Sequence, residues 1–279
     1  MAGARRLEVI YFTGDPDGLR QISIRTSQIR TYVVPRKLLG DAKNLPGITR
    51  PGVYFLINES DTSKIKKMYI GKTTLGIARM DDHKAKKGFW DKAILFLSDE
   101  ENFDMTVISG LEQLLIDKAI ASNRYDMKNS QPSKVKIKGG VLYDLQNYAE
   151  DIEFTMATLG YSFSIQTEDE NEIFVATRKG LISKMIYHGE RVELLKGSEI
   201  NMALNAKSSF QARREKMIQD KYIIKVGDMF ILQKSIDFTS PSSAADFAIG
   251  GSNNGWITWK RSTDGKTLDE IYRQNEGAL

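Results

Sequence analysis

The chain has 279 residues, 41% of them hydrophobic and 27% charged, with a formal net charge of +4. This length predicts two compact units, and the near-average composition excludes a low-complexity or disordered chain. No cysteine is present, which excludes disulfide staples and thiolate-bound zinc. No apolar run is long enough to span a bilayer, and MAGARRLEVIYF lacks the apolar core and small-residue cleavage site of a secretory signal, so a soluble, cytoplasmic protein is expected. The pI near 9.0 is a mild signal for a nucleic-acid partner; the runs KIKK at 64–67, KAKK at 84–87 and KVKIK at 134–138 are more pointed.

In chain order, 7–13, 21–25 and 31–34 read as short strands, with GDPDG at 14–18 supplying a tight turn. They form a β-rich lead-in over 1–45. After PGITRPG, the segments GVYFLIN and KKMYIGK predict an antiparallel hairpin whose second strand ends near Gly71. A helix follows through Lys87, then a third strand at 93–98 and an amphipathic helix over 107–121 with Ile108, Leu111, Leu115, Ile116 and Ala119 on one face. The Lys- and Gly-rich stretch at 133–140 predicts a boundary. Beyond it, a helix over 143–160 closing at Gly160 and strands near YSFSI and EIFVAT make an α+β middle segment, 140–200. The last part, 201–279, predicts a helix over 206–219, strands at YIIKV and MFILQ, a tightly packed helix at SSAADFAIG, and an NNG turn into a strand WITWK. The overall class is α/β of the α+β kind.

Gly52-Val53-Tyr54, followed fifteen residues later by Tyr69-Ile70-Gly71, resembles the signature of the GIY-YIG nuclease family. The family pattern continues with a lysine after the second tripeptide, an arginine on the next helix, a tyrosine or histidine four residues on, and a glutamate on a later helix. Here these are Lys72, Arg79, His83 and Glu112. Either tripeptide alone is uninformative; the ordered set is specific. The resemblance implies a three-stranded antiparallel sheet flanked by helices, occupying 46–135, and a metal-dependent endonuclease that cuts DNA. A closing asparagine is also implied. Asn123 lies eleven residues beyond Glu112 and Asn129 seventeen; Asn129 is preferred because RYDMKN resembles the segment of longer relatives. The F-x-SPS-x-AA…G-x-x-x-NG…W segment, Phe238 to Trp259, resembles an accessory domain of unknown function, DUF4357, found after such nuclease modules.

Phosphodiester hydrolysis needs a positioned water, a route for its proton, and charge neutralisation on the phosphoryl and leaving oxygens. Arg79 and His83, four apart, share one helix face, and a guanidinium there can hold two phosphate oxygens. Tyr54 and Tyr69 could present hydroxyls to one point; with a free pKa of about 10, either needs Lys72, His83 or metal-bound water to act near neutrality. Which tyrosine takes the proton stays open. Glu112 is the only carboxylate of the pattern, suiting one hard cation, Mg²⁺ or Mn²⁺. Asp81 and Asp82 are expected to face solvent, and Phe89, Trp90, Trp256 and Trp259 to serve packing. The expected role is restriction or another defence against foreign DNA, with repair and mobile-element cleavage as rivals; a non-cleaving nucleic-acid-binding protein is the rival of a different class. Double-strand cutting would call for a homodimer or two visits.

Overall fold

The computed structural model describes residues 4–59, 65–98, 100, 103–129, 141–163, 172–189, 191–202 and 210–274. The KVKIK run and the predicted boundary at 133–140 lie outside them. The chain forms two compact units, Met1–Ser60 with Lys66–Ile165 and Asp61–Ile65 with Gln166–Leu279. Both are mixed α/β. No helix among the described residues is long and apolar enough to cross a membrane.

The first unit is built on one seven-stranded sheet. Its strands are β1 (Leu7–Tyr11), β2 (Arg20–Ile24), β3 (Arg30–Pro35), β4 (Gly52–Asn58), β5 (Lys67–Thr73), β6 (Lys92–Leu97) and β7 (Asp126–Met127), in the order β1-β2-β3-β6-β4-β5-β7. All neighbours are antiparallel except β5 and β7. The helices are α1 (Leu39–Ala42), α2 (Arg79–Lys86), α3 (Met105–Ala121) and α4 (Val141–Thr158). The strand β4 is buried on both faces, which is why GVYFLIN reads as a continuous apolar run. Val53, Phe55 and Ile57 join a core shared with α3 and α4; Tyr54 and Leu56 join a second core with α1, α2 and Trp90.

The predicted hairpin and third strand are present as β6-β4-β5, but the predicted N-terminal element is not separate. β3 pairs with β6 from Arg30↔Leu97 to Pro35↔Lys92, carrying β1 and β2 into the same sheet. The reason lies in β3, where Val33 enters one core and Tyr32 and Val34 the other. Likewise α4 belongs to this unit: Leu145, Ala149, Ile152 and Met156, one helical face, lie in the core with α3. It closes as expected at Gly160, whose φ of +85° accompanies the Tyr161 N–H bond to the Met156 carbonyl at 2.8 Å. Tyr161, Ser162 and Phe163 form no strand, with Tyr161 and Phe163 buried; the last two residues of YSFSI lie outside the described residues.

The second unit holds a five-stranded antiparallel sheet of β8 (Ile173–Arg178), β9 (Leu181–Tyr187), β10 (Val192–Leu194), β13 (Ile236–Phe238) and β14 (Lys260–Arg261), in the order β13-β10-β9-β8-β14. A hairpin of β11 (Ile223–Val226) and β12 (Met229–Leu232) and the helices α5 (Gln211–Gln219), α6 (Pro241–Ile249), α7 (Gly255–Thr258) and α8 (Leu268–Tyr272) complete it. Because β13 and β14 share the sheet of β8–β10, the predicted division at 200 does not separate two bodies. The first residues of the helix predicted over 206–219 lie outside the described residues. Of the predicted strand WITWK only Lys260 lies in a strand, β14, while Trp256 to Thr258 belong to the turn of helix α7, capped by the Asn254 side chain accepting from the Trp256 N–H at 3.1 Å. Alternation would bury Ile257 together with Trp259; Ile257 is 55% exposed, while Trp259 is fully buried and donates to the Pro241 carbonyl at 2.9 Å.

Candidate active site

The hairpin β4–β5 brings Tyr54 opposite Gly71 and Leu56 opposite Tyr69, so both tyrosines stand on the α2 face of the sheet. Gly71 is required there. A Cβ at this position would come within 2.4 Å of the Tyr54 hydroxyl, so the second tripeptide ends in the one residue over which the first tripeptide's phenol can lie.

The helix α2 supplies the other wall. The Tyr54 hydroxyl lies 2.6 Å from Nε2 of His83, and the His83 ring is 5.3 Å from the Tyr54 ring and 5.4 Å from the Tyr69 ring. Tyr54 and His83 are buried, Tyr69 partly so. Burial drives the Tyr54 hydroxyl far above its ordinary value, helped by Tyr69 and opposed by Arg79. Burial, with Glu112 second, raises Tyr69 as well. His83 is lowered to about 4, first by burial and then by the Arg79 and Lys87 charges. Near neutrality the imidazole is therefore unprotonated. Its interaction with Tyr54 is the main reason Arg79 holds its own proton more tightly.

Arg79 also forms an ion pair with Asp82 at 2.7 Å, and its side chain is 44% exposed. Asp81 pairs with Lys43 at 2.8 Å; both aspartates face solvent, as expected. Trp90 is packing, as expected: it is buried, and Arg36 lies 4.7 Å from its ring while donating to the carbonyls of Lys84, Lys87 and Trp90. These bonds satisfy the C-terminal end of α2 and hold it against the sheet.

The opposite face of β5 carries Lys72, whose ammonium is 3.1 Å from Glu112 and 3.0 Å from the Ser109 hydroxyl on α3. Lys72 is thus held by α3 rather than by the tyrosines. The register dictates this, since Lys72 pairs with Val53, whose side chain lies in the α3 core. The carboxylate of Glu112 nevertheless acts on both tyrosines, contributing to their raised values. Asp104 caps α3, accepting from Thr106 and Val107 at 2.7 and 2.9 Å, and sets the register in which Ile108, Leu111 and Leu115 are buried while Ser109 and Glu112 reach β5.

Asn129 is placed differently from its expected company. Its side chain accepts from the Ile70 N–H at 3.0 Å and donates to the Ile70 carbonyl at 2.7 Å, standing in for a strand along the edge of β5. It braces the residue between Tyr69 and Gly71, and both of these hydrogen bonds go to the backbone rather than to a phenol. Asn123 sits at the end of α3 with φ of +53°. Two residues were missed. Lys87 places its ammonium 3.8 Å from the centre of the Tyr69 ring, and burial lowers its pKa, with Arg79 next. Its spacing of four from His83 was the available signal. Ser109, three before Glu112 on one face of α3, was signalled in the same way.

Among the described residues, no three His, Asp or Glu side chains converge as a ready metal cage. Glu112, one-fifth exposed and paired with Lys72, is a single carboxylate of the kind that suits a hard cation keeping most of its hydration.

Residues 173–272 match the family described as Domain of unknown function (DUF4357). The match falls within the second unit and includes the Phe238 to Trp259 segment. No curated protein and no solved structure matches the chain.

Proposed function

We propose that the chain is a metal-dependent endonuclease of the GIY-YIG type, hydrolysing DNA phosphodiester bonds in the cytoplasm as part of restriction or another defence against foreign DNA. The observation that carries this reading is the contact between the Tyr54 hydroxyl and an unprotonated His83, with Tyr69 and Arg79 beside it.

In this reading Tyr69, the more accessible phenol, receives the proton of the attacking water as its own proton passes to Tyr54, whose proton passes to Nε2 of His83. Each phenol ends neutral, so the raised values of both tyrosines are no obstacle; the imidazole alone gains charge. The bound phosphodiester offsets the Arg79 and Lys87 charges that depress His83, so substrate itself makes the imidazole a better base. Arg79 exchanges Asp82 for the scissile phosphate, an inexpensive exchange because exposed ion pairs are worth under about 1 kcal/mol. Glu112 would hold Mg²⁺ or Mn²⁺, with Lys72 released toward the phosphate. Such a cation neutralises the phosphate and stabilises the leaving oxygen.

Incubating supercoiled plasmid with the protein and Mg²⁺ tests the reading. Nicking or linearisation that stops on chelation is the expected result; retardation without cleavage would favour a binding protein instead. Sequencing the ends cut from random DNA separates the defence role, which requires a recurrent site, from repair of structured DNA, which requires a recurrent shape.

A further inference from the structure

The strand β1 lies at the edge of the seven-stranded sheet, bonded among the described residues to β2 alone. The bonds from the Phe12 N–H to Leu19 and from the Arg25 N–H to Arg6 show that even-numbered residues bond inward to β2. Leu7 and Val9 therefore each offer one donor and one acceptor outward, and Tyr11 offers its N–H; the Tyr11 carbonyl already accepts from the Gly14 N–H at 3.3 Å. Natural edges are protected by lysine, proline or a bulge. This one has none of them between Leu7 and Phe12, and Val9, Ile10, Tyr11 and Phe12 are 41%, 43%, 46% and 38% exposed. The strand is nonetheless firmly seated, because Arg5 bonds Asp151 on α4 at 3.2 Å and lies 4.9 Å from the Phe154 ring.

We propose that β1 pairs antiparallel with β1 of a second copy, about a two-fold axis at Val9, joining two sheets into one. That register is self-complementary. It sets Val9 against Val9 and Leu7 against Tyr11, all outward-bonding residues, so that the Val9 and Tyr11 N–H groups meet the free carbonyls of Val9 and Leu7, and the Leu7 N–H meets the second lone pair of the Tyr11 carbonyl. It also sets Glu8 against Ile10 and Arg6 against Phe12, so no like charges face each other. A shift of the axis by one residue would set inward-bonding residues at the joint and lose the ladder. Opposed residues share a face, so the two candidate active sites lie on the same face of the joined sheet. The pairing itself holds whether or not the protein cuts DNA.

The absence of cysteine makes a clean test available on the full chain. In the proposed pair the two Val9 Cα atoms are about 5.5 Å apart, within disulfide range. Val9→Cys should give a disulfide-linked dimer on mild oxidation, and Ile10→Cys, which faces Glu8, should cross-link at least ten-fold less. Light scattering should give twice the chain mass for the unmodified protein and the chain mass for Val9→Pro, which removes only an outward N–H and spares the β2 ladder. Equal cross-linking at positions 9 and 10, a monomer at all concentrations, or a dimer that survives Val9→Pro with an unchanged circular dichroism spectrum would each overturn the proposal.

Discussion

His83 and Tyr54 in the first unit and Arg213 and Arg214 in the second are all buried polar side chains, yet burial leaves them in opposite situations. Arg214 donates to the carbonyls of Asp246 and Phe247 at 2.8 and 2.9 Å, and Arg213 lies 4.6 Å from the Phe238 ring; burial lowers both to about 10, which leaves them charged at any physiological pH. They hold α5 against α6 and change nothing. His83 and Tyr54 instead bond each other, with burial pushing one down and the other up; in the proposed reading the proton between them is the movable part. Burial alone does not mark a site; convergence of groups able to exchange a proton does.

The sharpest way to break this contrast is to cut the chain. A fragment ending at residue 139 would strip α4 from the core it shares with α3, losing Leu145, Ile152 and Met156 together, and is expected not to fold. A fragment ending at 165 should melt cooperatively and retain metal-dependent cleavage with weaker DNA affinity and a shallower salt dependence. Activity in the isolated second unit would reverse the assignment.

Next in size is Arg79. Arg79→Ala should lower turnover about 100- to 1,000-fold, as loss of one aimed donor does, with the melting temperature preserved because the side chain is partly exposed. Arg79→Lys should rescue little, since a point charge cannot replace a fork of donors. Single-turnover rates and melting curves measure both.

The folded pKa of His83, about 4, lies below its unfolded value of 6.5, so the unfolded chain binds more protons between those limits. Stability contributed by the neutral imidazole is complete above pH 6.5 and is lost as pH falls toward 4, amounting to ~3 kcal/mol at most. Denaturant titrations at pH 7 and pH 4.5 should show this loss in the native protein and a smaller one in His83→Gln. Equal losses would mean that burial does not hold the imidazole neutral.

The smallest effect is expected at Asn129. Removing its amide leaves the Ile70 N–H and carbonyl without their partner at the β5 edge, a cost of about 1–3 kcal/mol. Asn129→Ala should lower the melting temperature and reduce turnover in proportion to the loosened Tyr69, leaving the pH profile unshifted. A large fall in turnover with unchanged stability would return Asn129 to a direct chemical role.

Much of this was legible in local pattern. The hairpin, α3 and its buried face, the closure at Gly160 and the outward aspartates follow from periodicity and turn chemistry, which act within a few residues. The joining of β3 to β6 was not legible, because a strand buried on both faces carries no mark of its neighbour. Nor was the face of Lys72: counting along the chain sets it beside Tyr69, whereas alternation in a strand sends adjacent side chains to opposite sides. WITWK misled because alternating aromatic residues suit a strand, and the Asn254 cap outweighed them. Asn129 was expected by position, and its bracing of Ile70 needed the parallel pairing of β7 with β5 to be seen.

Cleavage of supercoiled DNA by Glu112→Gln is the most direct measurement. Glutamine keeps the size and helix propensity of the side chain while removing the charge that would hold the cation. The variant should melt near the native temperature, bind DNA, and fail to cut at any Mg²⁺ or Mn²⁺ concentration at which the native protein linearises the plasmid; cutting at the native rate would contradict a metal-dependent site at Glu112.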